Sequence, residues 1–146
     1  MMTAPRNLVL VDTSAWICFL ARKKFPQIKK WVTTLLEEDR VAITGPIFLE
    51  LIQGTRNQKE REQTESRLEA LHWLNIEERH WQQAADLGFR SRRKGLTISA
   101  IDAIISVVAI DYSCELLHYD SDYNLISENS KLKLFSNTAG CLMLDT

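Results

Sequence analysis

Short hydrophobic runs alternate along the chain with longer amphipathic segments. The first run, residues 7–11, is rich in valine and leucine and ends at an acid, which is typical of a strand buried on both faces of a parallel sheet. Residues 41–44, 73–76 and 115–118 predict three further strands, and residues 133–135 are a weaker candidate for a fifth. The pattern therefore predicts four or five short strands.

The segments between these runs have helical spacing. Six helices are predicted, over residues 14–21, 26–39, 45–52, 57–71, 78–94 and 99–110. In the fifth of these we expect Trp81, Ala84, Ala85 and Leu87 to face inward. Strands that alternate with helices indicate one α/β domain over residues 1–146, with a four- to five-stranded, mainly parallel sheet and helices on both faces. Ligands of such sheets gather beyond the carboxyl ends of the strands.

Composition adds little to this picture but excludes some classes. The chain is 45% hydrophobic and 25% charged, as in ordinary globular proteins. Its three cysteines, Cys18, Cys114 and Cys141, are an odd number at wide spacing, which fits neither a disulfide framework nor a zinc knuckle. The apolar run 8–21 is interrupted by Asp12 and is too short to span a bilayer. We expect a soluble, cytoplasmic protein with reduced cysteines.

The formal net charge of −1 hides two basic stretches. Residues 22–30 carry five basic residues and no acid. Residues 88–95 contain Arg90, Arg92, Arg93 and Lys94, again with no acid. Several acids, by contrast, stand in apolar surroundings. A cation bound to those acids would make the protein's effective charge more positive than its sequence suggests.

Each of the unusual acids also has an ordinary explanation. Asp12 directly follows the first strand, where it could simply cap the next helix. Glu50 is the only charge in residues 47–52, so it needs a partner, a pocket, or a helix edge that reaches solvent. Asp102 completes a capping box with Ser99, although the surrounding helix is apolar nearly all round. Taken singly, none of these acids identifies a site.

Their joint placement is more informative. Asp12 and Asp120 follow strands, Glu50 and Asp102 are expected in the first turns of helices, and all of these points lie on one edge of a parallel sheet. Asp122 follows Asp120 closely, although Asp-Ser-Asp is also ordinary turn chemistry. Clustered carboxylates raise one another's pKa values, and a hard divalent cation relieves the repulsion. Oxygen ligands suit Mg²⁺ or Mn²⁺, and one or two ions are expected.

Four segments carry a family resemblance. They are residues 11–17 (VDTSAWI), 49–54 (LELIQG), 95–105 (GLTISAIDAII) and 116–123 (LLHYDSDY). In this order they resemble the PIN-domain proteins, and more narrowly the VapC toxins of bacterial and archaeal toxin–antitoxin pairs. The resemblance covers essentially the whole chain. It implies a PIN-like fold and a Mg²⁺- or Mn²⁺-dependent endoribonuclease that cuts single-stranded or looped RNA.

The resemblance also implies roles for individual residues. It places metal ligands at Asp12, Glu50, Asp102 and Asp120, with Asp122 as an auxiliary acid. Ser14 matches the small hydroxyl residue that supports the first aspartate. Tyr123 stands where phenylalanine is more usual, but a ring is kept, so this departure puts nothing important about the resemblance in doubt. The family further implies a homodimer and inhibition by a small antitoxin protein encoded beside it.

In the resulting hypothesis, water activated at the carboxylate site attacks the phosphorus in line, and no side chain acts as the nucleophile. Arg90, Arg92, Arg93 and Lys94 would hold the RNA backbone. Residues 22–24 could do the same or be an ordinary solvated patch. The four tryptophans, Trp16, Trp31, Trp73 and Trp81, are expected mostly in the core, although any of them could stack on bases.

Two other classes remain open on sequence grounds. An aspartate-based phosphotransfer protein could also place Asp12 after its first strand, but it would want a second aspartate where Ser14 stands. A catalytically silent PIN-like fold could serve only for RNA binding or dimerisation. Divalent-metal binding would separate the nuclease from this silent module.

Overall fold

The computed structural model describes residues 7–135. Its four strands, all parallel and in the order β3-β2-β1-β4, are β1 (Val9–Val11), β2 (Val41–Thr44), β3 (His72–Leu74) and β4 (Glu115–Leu117). The seven helices are α1 (Thr13–Leu20), α2 (Pro26–Glu37), α3 (Gly45–Gln53), α4 (Gln58–Glu69), α5 (Glu78–Arg93), α6 (Ala100–Asp111) and α7 (Asp122–Glu128). The predicted α/β class and parallel sheet are confirmed.

Strand order also determines the layers. The chain steps from β1 to β2 to β3 in one direction and then crosses to β4 on the other side of β1. Because parallel crossovers are right-handed, α1 to α4 cover one face of the sheet and the α5–α6 pair covers the other. Every residue of β1 and β2 is buried, as expected for strands covered on both faces.

The fifth strand candidate is reduced to a single bridge. Leu134 pairs with Leu116 in a parallel sense, and this is an isolated bridge rather than a strand. The Leu116 N–H donates to the Lys133 carbonyl at 2.9 Å, and the Phe135 N–H donates to the Leu116 carbonyl at 2.8 Å. Within residues 7–135 the sheet therefore has four strands, the lower of the two predicted numbers.

The inward face of α5 differs from the prediction. His80, Ala84, Leu87 and Ser91 are buried, a regular stripe at helical spacing. Trp81, one residue round the helix, is 56% exposed, and Ala85 is exposed as well. The polar residues His80 and Ser91 take the inward positions that hydrophobicity alone would not assign to them.

Other expectations have mixed outcomes. Trp16 is buried and Trp31 packs against the core, whereas Trp73 and Trp81 are 40% and 56% exposed. Core packing therefore holds for two of the four tryptophans rather than for most of them. Cys18 and Cys114 are buried as expected, and burial raises the pKa of the Cys114 thiol to about 11. Cys141 lies outside the described residues.

Among residues 7–135, no helix combines the length and apolar character needed to cross a membrane.

Candidate metal centre

Asp12 lies at the carboxyl end of the central strand β1 and is held on both of its oxygens. It caps α1, because its Oδ2 accepts the Ser14 N–H at 3.0 Å and also the Ser14 hydroxyl at 2.6 Å. The Ser14 hydroxyl in turn accepts the Tyr119 N–H at 2.9 Å. Asp12 is only 6% exposed. Its cap role and a role in a site therefore coexist.

Asp102 lies in the first turn of α6. Its N–H donates to the hydroxyl of the N-cap Ser99 at 3.0 Å, so the predicted cap is present. Burial raises the pKa of Asp102, and the nearby charges of Asp12 and Asp120 raise it further, against a lowering by hydrogen bonds from Tyr123 and Ser99. The charged form of Asp102 is thus less favoured than that of an ordinary exposed aspartate.

Asp120 and Asp122 form a tight turn directly after β4. The Asp122 N–H donates to Asp120 Oδ1 at 3.0 Å, and the Asp120 N–H donates to His118 Nδ1, also at 3.0 Å. Asp102, Asp120 and Asp122 each offer a carboxylate oxygen, and these oxygens all lie within 4.8 Å of one another. The structure therefore brings together three of the predicted acids, including the auxiliary one.

Glu50 departs from its predicted place. It is the sixth residue of α3, hence in the second turn rather than the first, and it is exposed. The buried stripe of α3 contains Ile47 and Leu51, which leaves Glu50 on the outer side. It accepts a hydrogen bond from the Thr13 hydroxyl at 2.8 Å, next to Asp12 in the chain. Glu50 thus lies at the rim of the centre and is not among the three converging acids.

Tyr123 occupies the space between two of the acids. This residue of α7 is fully buried. Its hydroxyl lies 3.0 Å from Asp12 Oδ1 and 3.1 Å from Asp102 Oδ1. Burial and both neighbouring charges raise the pKa of Tyr123, so the phenol stays protonated. The ring is kept, and the hydroxyl that phenylalanine would lack adds a hydrogen-bonding link between Asp12 and Asp102.

His118, the first residue after β4, also belongs to the surroundings of the centre. It is fully buried, and its ring lies against that of Tyr123 with centroids 5.3 Å apart. Burial lowers the pKa of His118, which favours the neutral ring. Because Nδ1 accepts the Asp120 N–H, the proton of the neutral ring is on Nε2. This contact was not foreseen from the sequence, because nothing in the spacing of His118 distinguishes it from a core residue.

The donor set fits a hard divalent cation. Carboxylate oxygens from Asp102, Asp120 and Asp122 converge, and Asp12 is one hydroxyl away. Burial and mutual repulsion both penalise charge at Asp102, and a cation is what would offset that penalty. Oxygen-only ligands are typical of Mg²⁺ and Mn²⁺ sites. The arrangement can therefore hold a cation and present it to an anionic group.

The predicted RNA-binding residues are exposed at the end of α5. Arg90 pairs with Asp86 at 2.8 Å, and the Arg93 guanidinium lies over the Phe89 ring, 5.6 Å from its centroid. Arg92 and Lys94 are exposed too. Since residues 94–99 connect α5 to α6, this basic segment lies close in the chain to the turn that carries Asp102.

The second basic stretch borders the centre from another side. Phe25, which follows the exposed residues 22–24, packs edge-on against Tyr119 with ring centroids 5.1 Å apart. Tyr119 immediately precedes Asp120. Lys29, by contrast, donates to the Cys18, Phe19 and Ala21 carbonyls at the end of α1. Lys29 therefore stabilises a helix end, while residues 22–24 remain available at the surface.

The decisive comparison is with protein families. The sequence profile of the PIN domain matches residues 9–129. The chain belongs to the PIN-domain family. This PIN domain is 29% identical over 134 residues to ribonuclease VapC11 of Mycobacterium tuberculosis, and the match covers 88% of this chain and 98% of that relative.

Solved structures show the same PIN fold. FitAcB from Neisseria gonorrhoeae matches with a TM-score of 0.71 at 20% identity, over 88% of this chain and 97% of that one. VapBC-5 from Mycobacterium tuberculosis, described as a member of the VapBC family of toxin–antitoxin systems, matches with a TM-score of 0.61 at 20% identity, over the same shares. The predicted family is confirmed.

Proposed function

We propose that the protein is a divalent-metal-dependent endoribonuclease that hydrolyses phosphodiester bonds of single-stranded or looped RNA. The observation that carries the proposal is the convergence of Asp102, Asp120 and Asp122, with Asp12 linked to Asp102 through one hydroxyl. The likeness to a relative named as a ribonuclease supports the same reaction.

In this proposal Asp12, Asp102 and Asp120 hold one or two Mg²⁺ or Mn²⁺ ions, with Asp122 as an auxiliary acid and Glu50 at the rim. When bound, the cation supplies positive charge against the phosphate and lowers the pKa of water. The protein's part is to fix the carboxylates before RNA arrives. The Ser14 hydroxyl already contacts Asp12 and the Tyr119 N–H, so it orients an acid rather than attacking phosphorus.

In the same proposal the basic residues bind the RNA backbone. Arg90, Arg92, Arg93 and Lys94 are exposed near the start of α6, where they would contact RNA phosphates without reading base sequence. Residues 22–24, which adjoin Phe25, would extend this contact toward Asp120. We include both stretches in the proposed RNA path.

We further propose that residues 1–146 form one PIN-like domain that acts in the cytoplasm as a homodimer. Its partner would be a small antitoxin. Support comes from the description of VapBC-5, whose fold this chain shares, as a member of a toxin–antitoxin system.

The phosphotransfer alternative is less well supported. Asp12 is buried and both of its oxygens are in hydrogen bonds, which leaves the carboxylate poorly placed to accept a phosphoryl group.

Cleavage of a looped RNA with and without Mg²⁺ tests the proposal. We expect the wild-type protein to cut, EDTA to abolish cutting, and Asp102→Asn to reduce cleavage at least a hundredfold, because the variant loses a converging charge. Circular dichroism checks that the variant stays folded.

A matched control is Asp39→Asn. Asp39 is exposed and precedes β2, so it lies at the amino ends of the strands rather than at the carboxyl ends where the acids converge. Its φ is 56°, which asparagine tolerates. It should cut like the wild type. Full activity of Asp102→Asn would remove this acid from the centre. Metal binding in calorimetry without cleavage would contradict the nuclease, and absence of both would favour the catalytically silent module.

A further inference from the structure

Tyr123 differs from a core aromatic in what its polar end contacts. Its ring is fully buried against His118, yet its hydroxyl reaches two carboxylates rather than a backbone carbonyl. Those carboxylates come from the end of β1 and the start of α6, elements separated by most of the chain. The Tyr123 hydroxyl is therefore the point at which the two parts of the centre meet.

The two acids depend on this hydroxyl to different degrees. Asp12 has a second anchor, because Ser14 holds its other oxygen with two hydrogen bonds. Asp102 is in a helical first turn, where Ser99 fixes its backbone N–H. The hydroxyl of Tyr123 engages Asp102 Oδ1 and so turns that carboxylate toward Asp12. Without the hydroxyl, Asp102 would gain rotamer freedom and turn away from a like charge.

We infer that Tyr123 is a positioning residue, whose hydroxyl holds Asp12 and Asp102 at the separation and orientation in which a divalent cation finds them. This role rests on the proposed function. The phenol has one hydrogen to donate, and one oxygen of each carboxylate lies within hydrogen-bonding distance of the hydroxyl, so this group holds together two acids that would otherwise repel each other. Cation binding then costs less conformational entropy, because the Asp102 side chain is already held in one rotamer.

The change Tyr123→Phe removes one oxygen and keeps the ring. We expect Mn²⁺ affinity, measured by calorimetry on the full chain without RNA, to fall roughly tenfold, the scale of one lost hydrogen bond to a charged group. The Mn²⁺ concentration for half-maximal cleavage should rise by the same factor. The kcat at saturating Mn²⁺ and the KM for RNA should change less than about twofold, because excess metal restores the ligand set.

Tyr112→Phe is the matched control. Tyr112 caps the other end of α6, and its hydroxyl donates to the Asn75 carbonyl at 2.9 Å. The control also loses one tyrosine hydrogen bond, but far from the acids, so it should lower stability without changing Mn²⁺ affinity. An equal loss of affinity in both variants would overturn the positioning role, because it would reflect general loosening.

The wild-type protein gives a second measurement that does not depend on how the variants fold. With ¹³Cζ-labelled tyrosine, the Tyr123 signal should move during Mg²⁺ titration and saturate with the Mg²⁺ affinity measured by calorimetry, while the Tyr112 signal stays still. An unresponsive Tyr123 signal would overturn the inference. So would tighter Mn²⁺ binding by Tyr123→Phe, which would mean that the hydroxyl competes with the cation. If the wild type binds no metal, the proposed function itself fails.

Discussion

Ser14 joins two loops that are distant in sequence. Its hydroxyl donates to Asp12 after β1 and accepts the Tyr119 N–H after β4. Its backbone N–H also contacts the Asp12 carboxylate. A single small side chain thus fixes an acid and ties together the ends of two neighbouring strands.

Replacing Ser14 with alanine should lower the free energy of unfolding by about 1–2 kcal/mol, because the Asp12 oxygen and the Tyr119 N–H both lose a partner. Urea denaturation at pH 7 in EDTA measures this. Ser14→Thr keeps a hydroxyl and should recover most of the loss. Equal stability of the alanine variant and the wild type would show that water replaces the hydroxyl at no cost.

The single residues of the centre were visible in the sequence to different extents. Asp12 and Asp102 stand out because a charge interrupts an apolar run, and Asp120 because it follows a strand. Glu50 also interrupts an apolar run, but the residue is exposed. Its charge therefore does not need to join the other acids in order to be solvated. The hydroxyl of Tyr123 could not be assigned, since an aromatic residue within a helix looks like core until its neighbours in space are known.

At the scale of elements, hydrogen bonds join the start of α5 to the end of α6, at the opposite end of α6 from Asp102. Asp111, the last residue of α6, accepts hydrogen bonds from Arg79 at 2.8 Å and pairs with buried His80 Nε2 at 2.8 Å. An acid at a helix C-terminus is unfavourable to the helix dipole, and these partners offset that cost. Hydrogen bonds from Arg79 and then His80 hold the pKa of Asp111 below its ordinary value.

This lowered pKa predicts a pH-dependent contribution to stability. Asp111 should stabilise the fold above its unfolded pKa, near 3.8, and lose that contribution as pH falls through the folded value. Asp111→Asn should therefore be less stable than the wild type at pH 7, and this difference should shrink as the pH is lowered below 3.8. Urea unfolding at pH 7 and at a series of lower pH values measures the difference. A difference that stays constant with pH would show that packing, not charge, is responsible.

Most elements could be predicted because their patterns are local. The strand β2 has the predicted bounds, and α2 begins at Pro26 as expected. The helix α7 was missed, since it is only seven residues long and its Asp-Ser-Asp start is also turn chemistry. On the inward face of α5, Ala84 and Leu87 are buried as predicted. His80 was missed because its ring accepts a hydrogen bond from the Glu77 N–H and donates one to Asp111, which hydrophobic spacing does not encode.

At the scale of the whole molecule, strand order arranges the charges. Because β1 lies between β2 and β4, the acids that follow β1 and β4 are neighbours at one edge. The exposed basic residues Arg90, Arg92, Arg93 and Lys94 precede the helix that carries Asp102, and the exposed residues 22–24 adjoin Phe25, which packs against Tyr119. A net charge of −1 therefore does not describe the surface that RNA would meet.

The double change Arg92→Gln with Arg93→Gln should weaken RNA binding and flatten its salt dependence. For single strands, the slope of log affinity against log salt should fall by about 0.7 for each phosphate that the protein no longer neutralises. Fluorescence anisotropy with labelled RNA and Asp102→Asn protein measures binding without cleavage. The control Arg61→Gln, on exposed α4, should leave the slope unchanged. An unaltered slope in the double variant would exclude these arginines from the RNA path.

The single bridge between Leu116 and Leu134 limits aggregation of the protein through the β4 edge of the sheet. In a three-residue strand such as β4, only the central residue directs its backbone groups away from β1, and Leu116 has both of them in hydrogen bonds. A second chain therefore finds no unsatisfied N–H or C=O at this point to extend the sheet. One residue thus gives the β4 edge the protection against aggregation for which longer edge strands need charges, prolines or bulges.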